Sequence, residues 1–241
     1  MTTPKPQVWI YRFRRDDGTT REFPVRLEPR SMKAMPQTRP SYPEWTRLSF
    51  CQCSNCPWKE AAHPRCPVAE SMLAVTEAFK DASSTESVRV EIAGPLRTFS
   101  KTTSLAEGVS ALLGVLMPSS GCPVLGRFRP NVLTHLPFAN VEETIFRTTA
   151  MYLLGQLFIA RRGGRADWDL KSLPAMLDAT HAVNQNMVLR LRQACLKDAN
   201  LNALIRLDDL ASLTANAAKR ITARLGDLEE LFDAYLPSAP V

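Results

Sequence analysis

The sequence predicts an α+β protein, with a small antiparallel β-sheet in the N-terminal part and a helical C-terminal part that ends in a long antiparallel helical hairpin. Three observations carry this reading. Residues 8–13 and 22–27 are strand-like, and apolar and polar residues alternate over residues 87–92, the period of a half-buried strand. Beyond Lys101 the apolar spacing becomes helical. Two long stripes then follow, Leu173, Met176, Leu177, Thr180, Val183, Met187 and Leu191 on one, and Leu207, Leu210, Leu213, Ala217, Ile221, Leu225, Leu228 and Phe232 on the other.

Residues 8–27 read as a β-hairpin, because Asp16-Asp17-Gly18 is a turn sequence between two strand-like runs. Pro24 removes one ladder donor, which places the second strand at a sheet edge. Residues 28–44 are proline-rich and lack periodicity, as in a linker or surface excursion. Residues 45–50 read as a short strand feeding into a cysteine-rich segment. Met72, Leu73, Val75, Thr76 and Phe79 recur at helical spacing. Residues 96–100 are placed to pair with the strand 87–92 across Gly94-Pro95, which gives a sheet of four or five strands. Ser104 caps a helix whose apolar face holds Leu105, Val109, Leu112, Leu113 and Leu116. A further helix starts at Asn140, with Glu142 and Glu143 in its first turn where they complement the dipole. It runs to Arg161-Arg162-Gly163-Gly164, a helix end with cations on the negative pole. Helices over about 170–198 and 200–236 complete the hairpin 170–236. The chain thus divides into a β-rich part, 1–100, containing the cysteine-rich segment 51–66, and a helical part, 101–241, joined as one integrated domain.

At 241 residues the chain can bury a core without disulfides. Its 45% hydrophobic and 22% charged content is ordinary for a globular protein. The N-terminus lacks the apolar core of a signal peptide, and the longest apolar run, residues 109–117, is about half of the roughly 20 residues a membrane helix needs. The expectation is a soluble, cytoplasmic protein without a membrane partner. The net charge of +6 arises wholly in residues 1–130, with 18 Lys/Arg against 12 Asp/Glu, whereas residues 131–241 carry 12 of each. Arginines interleaved with Trp9, Tyr11 and Phe13 would suit a nucleic-acid backbone with stacked bases. A hairpin with its aromatics in the core is favoured, because no further nucleic-acid motif accompanies them.

Four of the six cysteines, with one of the three histidines, fall within residues 51–66. In a reducing compartment such clustering points to metal ligands or redox thiols rather than disulfides. Cys53-x2-Cys56 has the spacing at which two thiolates on a tight turn reach one ion, at about 2.3 Å for zinc. Cys66 supplies a third sulfur and Cys122, in Ser-Ser-Gly-Cys-Pro, a distant fourth; His63 is the alternative fourth ligand. Cys56, Cys66 and Cys122 each precede a proline, which stiffens the loop presenting the sulfur. Zinc is the expected ion, with an iron–sulfur cluster as the alternative, since four sulfurs suit both. A closed four-ligand zinc site would be structural, stapling the N-terminal region to the helical half. A second polar set, His135 with Glu143 and Arg147, invites an acid–base reading, although Glu143 and Arg147 are ordinary i,i+4 helix partners. His181 and Asn184, on or near the first stripe, read as register-fixing polar residues. The sequence holds no phosphate loop, nucleophile elbow, His-Glu-x-x-His helix or dinucleotide fingerprint.

Cys53-x2-Cys56, Cys66-Pro67-Val-Ala69, Ser120-Gly-Cys-Pro123, His135-Leu-Pro-Phe138, Glu143-Thr-Ile-Phe-Arg147 and Tyr152-Leu-Leu154 together resemble an uncharacterised bacterial family, one of the domains of unknown function. The resemblance covers most of the chain. It implies a bacterial cytosolic source and a single family-wide domain, and transfers no activity or ligand. The functional expectation is a non-enzymatic, metal-stapled interaction or regulatory module, with a protein partner or self-association through the C-terminal helices. The alternatives are a redox enzyme using an iron–sulfur cluster or a thiol such as Cys51 or Cys122, and nucleic-acid binding through the basic hairpin.

Overall fold

A computed structural model describes residues 5–37, 39–194, 198–205 and 226–236. It is α+β, with an N-terminal antiparallel sheet followed by helices. The described residues fall into two compact units: 5–138 with 179–194 and 198–205, and 139–178 with 226–236.

The sheet of the first unit has four strands in the order β2-β1-β3-β4, every neighbour antiparallel. They are β1 (Gln7–Arg15), β2 (Thr20–Leu27), β3 (Ser87–Ala93) and β4 (Thr98–Ser104). Gly18, at φ +81°, supplies the left-handed residue that the hairpin turn requires. The Asp17 carboxylate fixes that turn by accepting from the Thr19 N–H at 2.8 Å. Pro24 sits opposite Ile10 on the edge strand, where a missing N–H breaks no ladder bond on the open side.

The period of two sorts the faces. Trp9, Tyr11, Phe13, Val25, Leu27, Val88, Val90 and Ile92 point into the core and are at most 5% exposed. On the other face Arg12 lies between Glu22 and Glu91, at 2.7 and 2.8 Å.

Two helices cover the apolar face: α1 (Pro67–Phe79) and α2 (Leu105–Ser119). Pro67 opens α1 at the first turn, where a missing N–H costs nothing. Ser104 caps α2 by accepting from the Glu107 N–H. Phe79 of α1 meets Phe13 edge-on, with centroids 5.2 Å apart. Gly108 lets α2 approach closely: a Cβ there would lie 2.7 Å from Val90 Cγ2 and 2.8 Å from Phe13 Cε1.

Residues 45–50 are not a strand. Pro43 starts a 3-10 turn at Glu44–Thr46, closed by Thr46 N–H and hydroxyl donating to the Pro43 carbonyl at 3.0 and 2.7 Å. Only an isolated bridge, Arg47 with Arg65, remains of the expected pairing. Residues 28–44 are also more than a linker. Ala34 bridges Leu27 and donates to the Ser119 carbonyl at 2.8 Å, so the excursion is pinned to the end of α2.

The first unit also holds α3 (Pro130–Leu133), and α4 (Val141–Arg161) opens the second unit. Asn140 and Glu143 form a reciprocal capping box, satisfying two donors at the start of α4. Gly163 at φ +78° ends it. Asp167 accepts from Tyr152 Oη at 2.8 Å and from the Lys171 and Ser172 N–H groups at 3.0 and 2.7 Å. It thereby ties the end of α4 to the start of α5 (Leu173–Ala194). Residues 179–194 of α5 belong to the first unit, where Val183, Met187 and Leu191 join the core.

Residues 199–205 are helical, and Ala199, Ala203 and Leu204 are fully buried. The second arm of the expected hairpin falls largely on residues 206–225, outside the described residues; Gly226–Glu229 is helical. None of the described helices is long and apolar enough to cross a membrane.

Two substitutions test this packing. Gly108→Ala gains about 1 kcal/mol of helix propensity, yet its Cβ meets the sheet inside van der Waals contact and overpacking costs about 1–3 kcal/mol. The net expectation is a lower denaturation midpoint in urea. Asp198, before residues 199–205, accepts from Ser84 N and Oγ, both at 2.9 Å, and these donors hold its carboxyl below the usual range. A depressed carboxylate contributes stability above its unfolded pKa of about 3.9 and loses it as pH falls through the folded value. Asp198→Asn should therefore lower stability at pH 7, by about 1 kcal/mol. The gap to wild type should close as pH falls through the folded value, as chemical denaturation across pH can show.

Candidate functional site

Three chain segments of the first unit present sulfur to one place. The first is the turn Cys53–Cys56, closed by the Cys56 N–H donating to the Cys53 carbonyl at 3.0 Å. The second is Cys66, the residue before α1, whose N–H donates to Thr46 O at 2.8 Å and whose extended backbone leads into Pro67. Cys66 is thus the N-cap residue of α1. The third is Cys122, set beyond α2 by Gly121 at φ +99° and tied back by its N–H donating to Ser120 Oγ at 3.3 Å.

Cys53, Cys56, Cys66 and Cys122 all line one cavity of about 20 Å³, whose wall also includes Asn55 and Arg190. That is room for roughly one water-sized body. Burial first, then the Cys66 and Cys122 thiols, pushes the Cys53 thiol up to about 12, while Arg190 pulls the other way. Burial also raises Cys122, against N–H groups of Leu125 and Val124 that favour its thiolate. As the side chains stand, no group of three or more His, Cys, Asp or Glu among the described residues could hold a metal ion. His63 is not on the cavity wall; its ring stacks on Trp58, with centroids 3.9 Å apart and planes 14° apart. Cys51, at φ +46°, also lies off the wall.

Arg190 was not a sequence candidate, and it is the most informative residue here. It lies on α5, 1% exposed. Its guanidinium donates to three main-chain carbonyls: Trp45 at 2.7 Å, Arg47 at 2.6 Å and Leu48 at 2.9 Å. Among the described residues Nε has no hydrogen-bond partner, and neither has Asn55 Oδ1. Arg190 stands three residues after Met187 and seven after Val183, so a cation interrupts the buried stripe. That interruption is the signal in the sequence.

The second polar set is distributed differently. His135 belongs to the first unit, with Nε2 2.5 Å from Tyr11 Oη and its ring edge-on to Trp9 at 5.2 Å. Glu143 and Arg147 belong to the second unit. Glu143 is engaged in the capping box, and Arg147 is lowered by burial against the opposing pull of Glu143. The aromatics of the hairpin, Trp9, Tyr11 and Phe13, face the core and cannot stack on bases. Several N-terminal arginines have local carboxylates: Arg12, Arg15, Arg39, Arg47 and Arg65. A larger groove, about 420 Å³, lies among the β2 edge, residues 34–37 and the flanks of α1 and α2. Of its charged residues, Glu22, Arg39 and Glu70 are paired with Arg12, Glu77 and Arg65.

A family model described as a domain of unknown function (DUF6901) matches residues 9–233. The chain belongs to that family. No curated protein and no solved structure is significantly similar to it. The match spans residues of both compact units and all four cysteines of the cavity wall, so the cavity lies within the family's domain.

Proposed function

We propose that this member of the family is a non-enzymatic interaction or regulatory module of the cytoplasm, stapled by one zinc ion on Cys53, Cys56, Cys66 and Cys122. The observation that carries this reading is the meeting of four cysteines, from three separate segments, on the wall of one small cavity. The chemistry fits. Four thiolates make a closed tetrahedral zinc site with no position left for a substrate water, which is a structural site. The cavity volume suits one ion better than a cluster with its own sulfides. Binding requires the thiols to lose their protons and the side chains to turn inward onto the ion. The protein partner, or a second copy of the chain, would be met by the C-terminal helices, and light scattering distinguishes self-association from a heterologous partner.

The alternatives have less support. A catalytic thiol needs a lowered pKa, and burial moves Cys53 and Cys122 the other way. Phosphate binding by the hairpin would have to proceed without its aromatics and against local carboxylates.

Elemental analysis of anaerobically purified chain should give one zinc per chain and a colourless solution. A brown protein absorbing near 400 nm would transfer the reading to an iron–sulfur cluster. Cys56→Ser should lower stability by several kcal/mol, because metal-binding energy in such sites is folding energy. Cys51→Ser, off the cavity wall, should cost little. Equal small losses from both, read by chemical denaturation, would remove the zinc reading.

A further inference from the structure

A buried cation requires an explanation. Arg190 is 1% exposed, and none of the ion pairs among the described residues involves it. Its three carbonyl acceptors satisfy Nη1 and Nη2 but do not neutralise the charge. Taking a cation out of water costs several kcal/mol unless an anion accompanies it. If the only task were to fasten α5 to residues 45–48, a neutral donor would do so without that cost. Of the two N–H donors left over, that on Nε is buried and has no partner among the described residues, and the residue forms part of the wall shared by the four cysteines.

We propose that Arg190 is the counter-cation of a metal–thiolate centre at this cavity, and that occupancy of the centre thereby controls how firmly α5 holds the loop of residues 45–48. The inference rests on the zinc reading above. Four thiolates and one zinc ion carry a net charge of −2, and Arg190 supplies an opposite charge beside it. The free Nε–H is the donor for a charge-assisted bond to a ligand sulfur. With the centre empty the same guanidinium has no −2 centre beside it, and the contact between α5 and residues 45–48 bears an uncompensated buried charge. The ion therefore acts on more than its own ligands: it sets the stability of a helix contact through Arg190, which is a positioning residue and not a ligand.

The test uses the full chain, with zinc alone as the probe in competition against a chromophoric chelator and cobalt as the spectroscopic reporter. Arg190→Met should weaken zinc binding at least tenfold and move the sulfur-to-cobalt charge-transfer band to lower energy. Arg190→Lys keeps the charge but loses the planar fork, so it should recover most of the affinity while melting below wild type. Wild-type affinity and an unmoved cobalt band in Arg190→Met would overturn the inference and leave the zinc site standing. So would a lysine variant that loses at least tenfold in affinity. If wild-type chain takes up no metal, the reading beneath it fails first. Hydrogen exchange on unmutated chain needs no variant to fold. Chelation should release residues 45–48 and 179–194 together with 51–66, whereas unchanged protection of 179–194 would overturn the coupling.

Discussion

The buried fork between Arg190 and the carbonyls of Trp45, Arg47 and Leu48 is the contact on which the arrangement around the cysteines depends. Residues 43–50 have no sheet partner to hold them, and a 3-10 turn of three residues offers few internal bonds. Their other ties include the bonds from Cys66 N to Thr46 O and from Leu48 N to Pro64 O, at 2.8 and 3.0 Å, and those from Arg47 Nε and Ser49 Oγ to the Glu60 carboxylate, at 3.2 and 2.8 Å. A guanidinium collecting three carbonyls from successive turns of the loop fixes its path where backbone pairing does not. The same loop leads into Cys51 and Cys53. The position of the Cys53–Cys56 turn is thus referred to α5, more than a hundred residues away in sequence.

The parts of this architecture that were legible in the sequence are those decided locally. Strand alternation at Trp9, Tyr11 and Phe13 survives folding because a sheet with one buried face imposes a period of two on every residue. The caps at Ser104 and Asn140 were legible because a helix start has orphan N–H groups that a side chain within three residues can satisfy. Residues 45–50 misled because their apolar content reflects burial of Trp45 and Leu48 in a loop, which composition cannot separate from a strand. Pro43 and the Thr46 hydroxyl, which close the turn, were the discriminating residues.

The site divides along the same line. The close spacing of Cys53 and Cys56 is local and therefore readable. The nearness of Cys122 is set by the length of α2, the left-handed Gly121 and the packing of Gly108 on the sheet, and no local pattern encodes all three. Arg190 escaped notice for a related reason. A single basic residue on a helix is ordinarily solvated, and only its register with Val183 and Met187 marks it as internal. A charged residue in phase with a buried stripe deserves the same scrutiny as a motif, because the cost of burying it demands a purpose.

Charge gives the final link between these observations. On the surface, carboxylates meet five of the N-terminal arginines, Arg12, Arg15, Arg39, Arg47 and Arg65. Exposed pairs of this kind contribute little each, about 0–1 kcal/mol, and shape solubility more than stability. The interior follows the opposite rule. Burial holds Cys53 protonated well above neutral pH, with a positive guanidinium on the same cavity wall. Thiol protons and a buried arginine are a poor match, since the protons remove the negative charge that the arginine would pair with. An ion held by four thiolates, as the zinc reading has it, places a centre of net charge −2 beside the guanidinium and resolves both conditions. On the zinc reading, metal uptake must release protons and strengthen as pH rises, and Arg190 lowers the pH at which the exchange becomes favourable.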